Sequence, residues 1–183
     1  LQDFSYNYPE VGVDFTSRIG IDEAGKGDFF GPLCVAGLYA DEPTVKTLLT
    51  LGVKDSKSMS DKTIRKIAKE IEKNCTYATV NLFPKKYNEL YTGFKNINAM
   101  LAWGHATAIE NLVNKSGCQF VTIDQFANES YVENAVKRKG LTDLNLRQQH
   151  KGERDIVIAG ASIIARNAFL DGMDKLSEHY LFE

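Results

Sequence analysis

Cysteine is scarce in this chain of 183 residues: there are three, Cys34, Cys75 and Cys118. They are odd in number and far apart, which excludes a disulfide framework and gives no zinc-ligand spacing. Cys34 and Cys118 lie in apolar stretches and are expected to be core thiols, and a reducing cytoplasm suits all three. The histidines, His105, His150 and His179, are equally scattered, so a zinc hydrolase is not expected. No GxxxxGKS/T run is present, which argues against a P-loop. No uninterrupted apolar run approaches the ~18 residues that cross a bilayer. The opening LQDFSYNYPEVGVDF lacks the basic start and apolar middle of a signal peptide, so no membrane association is expected. An initiating Met is missing too, which predicts a processed chain or a fragment. Excess charge of one sign is also missing. Lys and Arg number 22 against 24 Asp and Glu, a net charge of −2. A generic nucleic-acid binder carries a basic excess, although a local basic face opposite a cluster of acids remains open.

What is present reads as one α/β domain. RIGID, residues 18–22, and PLCVAGLYA, residues 32–40, are apolar strands joined as a hairpin by EAGKGDFFG. A short helix follows over 42–50, closed by Gly52. Ser60 or Asp61 caps the next helix, where Ile64, Ile67, Ala68 and Ile71 keep helical spacing. TYATVNLF alternates as a strand, and Pro84 ends it before a short helix. INAMLAWGHATAIENLVNK is a long helix closed near Gly117, and QFVTID is a strand that ends on an acid. SYVENAVKRKG is helical, TDLNLRQQ holds a short strand, and a long helix from Ile156 closes the chain. Single strands alternating with helices predict one central sheet with helices around it.

Acids stand at two predicted strand ends: Asp22 with Glu23, and Asp124. Ligands in such folds gather beyond the carboxyl ends of strands. Each acid alone is also an ordinary turn residue. Several converging on one place would call for a hard cation such as Mg²⁺, which takes oxygen ligands and leans on phosphate oxygens as well. In a strand, Asp22 and Glu23 point to opposite faces unless the chain turns there, and Gly25 and Gly27 are expected to supply the turn. Lys26 between them, and Lys57 in KDSK, are candidate phosphate contacts; a glycine hairpin and a polar loop are the plain alternatives. Lys62, Arg65, Lys66, Lys69 and Lys73 read as a solvated helix face. Ser162 reads as a close-packing residue, not a nucleophile, because no base accompanies it.

GIDEAGKGDFFGPLCVAG closely resembles the signature of the type 2 ribonucleases H. GVKDSKSMSDKTI, VTIDQF and HKGERDIVIAGASIIAR resemble that family's next three blocks, in order, and together the blocks run from about residue 18 to 170. The reading GKGDFFGP and the helix LAWGHATAIENL resemble ribonuclease HIII more than ribonuclease HII. The resemblance implies a ribonuclease H-like mixed sheet flanked by helices, with residues 1–183 as a single catalytic domain. The additional N-terminal substrate-binding domain usual in ribonuclease HIII is not expected within this chain. It also implies cleavage of the RNA strand of RNA–DNA hybrids with Mg²⁺ or Mn²⁺, leaving a 5′-phosphate. Asp22, Glu23, Asp124 and Glu153 would be the catalytic, metal-binding acids, with Asp155 as the rival for the fourth place. Gly25, Lys26, Gly27, Lys57 and Arg166 would bind substrate, the glycines where backbone groups can sense a 2′-hydroxyl. A monomer is expected. The alternatives are a ribonuclease HII-type enzyme that nicks at single embedded ribonucleotides, a hybrid-binding module without catalysis, and an integrase-like nuclease.

Overall fold

A computed structural model describes residues 12–180, apart from the side chains of Glu153 and Tyr180. With Pro9 and Gly12, residues 1–18 are expected from the sequence to be irregular; residues 1–11 of that opening lie outside the described ones. Five strands form one sheet in the order β3-β2-β1-β4-β5. They are β1 (Arg18–Ala24), β2 (Leu33–Ala40), β3 (Thr76–Leu82), β4 (Phe120–Asp124) and β5 (Asn145–Gln149). The hairpin is as expected: β1 and β2 are antiparallel, in register from Arg18↔Ala40 to Ala24↔Cys34. β3 adds to β2 antiparallel, whereas β4 lies parallel to β1 and β5 parallel to β4. Parallel neighbours need helical crossovers, which the helices after β3 and β4 supply.

The helices begin where the sequence offers caps. In α1 (Glu42–Thr50) the Asp41 carboxylate accepts from Thr44 N–H, and in α2 (Asp61–Asn74) the Ser60 hydroxyl accepts from Thr63 N–H. α3 (Pro84–Phe94) leads into α4 (Ile97–Ser116), which opens on an Asn96 cap and closes at Gly117 with φ +70°. α5 (Ser130–Arg138) joins β4 to β5, and α6 (Ile156–Tyr180) ends the described chain.

Alternation along the strands divides two cores between the faces of the sheet. Ile19, Ile21, Leu33 and Val35 pack with Met100, Leu101, Ile109 and Leu112 of α4 and Val132 of α5. Ala36, Leu38 and Ala40 pack on the other face with Ile64 and Ile71 of α2 and with Val157, Ile163 and Ile164 of α6. α6 lies directly on β1: a Cβ at Gly20 would stand 2.7 Å from the backbone of Val157 and Ile158. Within Ile156–His179, an 18-residue window has a mean hydropathy of 1.4 and could cross a membrane by length and composition, but 67% of that window is buried in the fold. That is the pattern of a core helix.

Two expectations change. Cys34 is a buried core thiol, but Cys118 is only half-buried, near the carbonyls of Ser17 and Phe120. The face of α2 is not solvated throughout: Arg65 turns away to pair with Asp171 and Asp174 of α6, while Lys62, Lys66, Lys69 and Lys73 stay exposed.

Candidate functional site

β1 stays in strand geometry through Ala24, so its last residues keep alternating. Asp22 follows Gly20 onto the α6 face, where the Ser162 hydroxyl hydrogen-bonds it. Glu23 follows Ile21 onto the α4 face, where its Oε2 lies 3.0 Å from His105 Nε2. Contrary to the expectation from sequence, Gly25 and Gly27 do not turn the pair onto one side, because the strand continues through Ala24 before they are reached. Both carboxylates instead border one cleft of about 430 Å³ at the end of the strand.

Parallel pairing brings the third acid in. The register Ile21↔Ile123 sets Asp124 beside Asp22 at the carboxyl ends of neighbouring strands. Asp124 lines the same cleft, and its Oδ1 accepts from Gly152 N–H at 2.8 Å. A Cβ at Gly152 would lie 2.8 Å from the Asp124 backbone, so glycine is what lets these segments meet. Gly152 opens a 3₁₀ turn, Gly152–Arg154, which carries the backbone of Glu153 next to Asp124. The Glu153 side chain lies outside the described residues.

Asp155 is engaged elsewhere. Its two carboxylate oxygens each accept from the Arg18 guanidinium at 2.9 Å, and Oδ1 also accepts from Val157 N–H at the start of α6. Arg18 begins β1, four residues before Asp22, and its side chain is 8% exposed. This bidentate pair fastens the root of α6 to the far end of the strand.

The cations and glycines gather at the rim. Gly25, Lys26, Lys57 and Arg166 all line the cleft. Lys26 Nζ donates to the Phe126 carbonyl and sits 5.1 Å above the Phe126 ring. Lys57 stands exposed in the 3₁₀ turn Ser56–Ser58, whose cap is Asp55. Arg166 donates to Asp61 and covers the Phe169 ring at 5.3 Å. Gly25 and Gly27 both have φ near the left-handed region, +85° and +87°. Gly27 does not line the cleft and has open space where a Cβ would be. Beyond it, Asp28 Oδ1 accepts from the N–H groups of Phe30 and Gly31, so the loop is held while Phe29 and Phe30 stand 92% and 81% exposed.

Two contributors were misread or missed from sequence. Ser162 is part of the polar site: besides touching Asp22, its hydroxyl lies 2.7 Å from that of Ser56. His105 was set aside as scattered, yet it is fully buried and paired with Glu23. Its signal was a polar ring at helical spacing within an otherwise apolar stripe.

The electrostatics favour a cation. The Asp22 carboxyl is pushed up to about 7, first by burial and then by the nearby charge of Glu23, with Asp124 adding to it. Hydrogen bonds from Ser162 and the Glu23 N–H oppose the rise only in part. Among the described residues, neither Asp22 nor Glu23 forms an ion pair with Lys or Arg. Also among them, no three acids, histidines or cysteines make a ready-made ligand group. An all-oxygen donor set of crowded carboxylates fits Mg²⁺ or Mn²⁺, ions that complete their shells with water and phosphate oxygens.

The sequence profile of the family Ribonuclease HII matches residues 19–183. A protein named Ribonuclease HIII from Protochlamydia amoebophila is 54% identical over 178 residues, which are 97% of this chain and 59% of that protein. Ribonuclease HIII of Chlamydia felis is 48% identical over 96% of this chain and 59% of its own length. The chain thus spans about three fifths of the curated relatives it matches. Among solved structures, Bst-RNase HIII in complex with Mn²⁺ is similar with a TM-score of 0.81 and 31% identity, over 94% of this chain and 57% of that one.

Proposed function

Since this chain belongs to the ribonuclease HII family, we propose that it is a ribonuclease H of the HIII kind: an endoribonuclease that hydrolyses the RNA strand of RNA–DNA hybrids and leaves a 5′-phosphate. Residues 1–183 are then its catalytic domain. The observation that carries this reading is the single cleft bordered by Asp22, Glu23 and Asp124, with Lys26, Lys57 and Arg166 on its rim.

Asp22, Glu23, Asp124 and Glu153 would hold the divalent ions, Mg²⁺ or Mn²⁺. Such ions, when bound, lower the pKa of an attacking water and steady the departing oxygen of the phosphodiester. The chain's own part is to bind and orient. Its carboxylates are set at adjacent strand ends that main-chain pairing keeps rigid, so little reorganisation is needed as charge develops. Lys57 and Arg166 contribute positive charge where a phosphate backbone would run. The backbone at Gly25 and Gly27 can approach a ribose closely enough to read its 2′-hydroxyl. The three cysteines are free, which is compatible with a reducing cytoplasm.

Asp124→Asn keeps the side-chain shape and removes one charge. It is expected to abolish Mg²⁺-dependent cleavage of a labelled hybrid while circular dichroism stays unchanged; near-normal activity rejects the reading. A duplex with one embedded ribonucleotide, run beside a hybrid with several, separates HIII-type from HII-type cleavage. The hybrid is expected to be the better substrate.

A further inference from the structure

Within that proposed function, we propose that His105 is a positioning residue that fixes the Glu23 carboxylate for the incoming divalent ion. His105 projects from α4 into the core with no exposed surface. Among the described residues, its ring makes one polar contact, Nε2 to Glu23 Oε2 at 3.0 Å. The other ring nitrogen, Nδ1, is buried and has no hydrogen-bond partner among the described residues.

That unused nitrogen is informative. A buried donor left unpaired costs more than an acceptor with an empty lone pair, so the proton belongs on Nε2, where it is donated to Glu23. The ring is held by packing: the Phe126 ring lies 4.7 Å away, centroid to centroid. Phe126 also carries Lys26, through its carbonyl at 3.2 Å and its ring face at 5.1 Å. Two rim elements, an acid and a cation, are therefore braced from the same pair of rings, His105 fully buried and Phe126 half-buried.

Stability alone does not call for an imidazole here. Its neighbours along α4, Leu101, Ala102, Ala106, Ala108 and Ile109, are buried and apolar. An apolar side chain at 105 would fill the stripe without leaving a ring nitrogen unpaired. What it would lose is the hydrogen bond that keeps the Glu23 carboxylate, which is 10% exposed, at one orientation against the cleft. Outer partners that orient a metal ligand typically alter metal affinity about 10–100-fold when removed.

The test measures Mn²⁺ binding directly, by paramagnetic resonance and calorimetry on the full chain without nucleic acid. His105→Leu is expected to melt no more than a few degrees from the parent and to bind Mn²⁺ about 10-fold or more weakly. His105→Gln, whose amide can donate to Glu23, should recover most of that affinity. If the leucine variant does not fold, His105→Met removes the same hydrogen bond with a more adaptable side chain. On the unaltered protein, the His105 Nε2–H resonance should shift when Mg²⁺ is added. Unchanged Mn²⁺ affinity in the folded Leu or Met variant, or an unmoved resonance, overturns the proposal. Glu23→Gln serves as the reference. If it too leaves Mn²⁺ binding intact, the acid-site reading itself fails; if it alone abolishes binding, only the role of His105 is lost.

Discussion

Gly25 and Gly27 share a backbone conformation but not a neighbourhood. Alanine in the left-handed region costs about 1–2 kcal/mol, and at Gly27 that is the whole penalty, because a Cβ there meets nothing within 4 Å. At Gly25 the added carbon would stand 2.1 Å from the Pro32 carbonyl and 2.9 Å from Phe169. Gly25→Ala should therefore displace the loop that borders the acids, lowering both melting temperature and hybrid cleavage. Gly27→Ala should cost only a small loss of stability, so that a fall in its cleavage rate reports contact with bound substrate and not a displaced loop. Thermal melts and initial rates on the two variants check the contrast. Sequence spacing marked both glycines alike, since the difference lies in residues 7 and 144 positions away from Gly25. His105 escaped notice for a related reason: nothing local to a helix tells that its ring faces the end of a strand 82 residues earlier.

Among the elements, every strand and long helix was legible from periodicity and caps. Ser60, Asn96 and Gly117 stand where capping chemistry puts them. The parallel pairing of β1 with β4 was not legible, because strand order depends on which apolar faces meet across the whole chain. That pairing brings Asp124 to Asp22. The rivalry between Glu153 and Asp155 also turns on an element, the root of α6. Asp155 and Arg18 are 14% and 8% exposed at their side chains, and both oxygens of the acid are in use. Breaking such a pair strands a buried charge, at about 3 kcal/mol or more. Asp155→Asn is accordingly expected to lower stability markedly while the folded fraction still cleaves hybrid. Glu153→Gln is expected to do the reverse, losing cleavage with little change in melting. Denaturant titration beside a cleavage assay reads both, and a dead but fully stable Asp155→Asn would exchange the two assignments.

For the molecule as a whole, the crowded acids make stability depend on pH. Asp22 has a pKa of 3.8 as an ordinary carboxyl and about 7 in the fold. Between those values the native protein keeps a proton that the unfolded chain has released. Its contribution is complete below about pH 4 and is lost as pH rises through about 7. In chelator, the melting temperature should fall across that window for the parent and fall less for Asp22→Asn, which has no proton to lose. Added Mg²⁺ should flatten the parent's profile by taking the proton's place. A parent profile that stays level in chelator would contradict the crowding.

The separation of these acids along the chain has a bearing on biosynthesis. A ribosome delivers Asp22 and Glu23 before Asp124, which arrives only after α4 has been made, and residue 153 follows later still. Because β4 must dock against β1 before the carboxylates become neighbours, a growing polypeptide has no cation trap to offer. Competence to bind the ion would arise only once residue 153 has emerged and the chain has folded back to bring β4 onto β1.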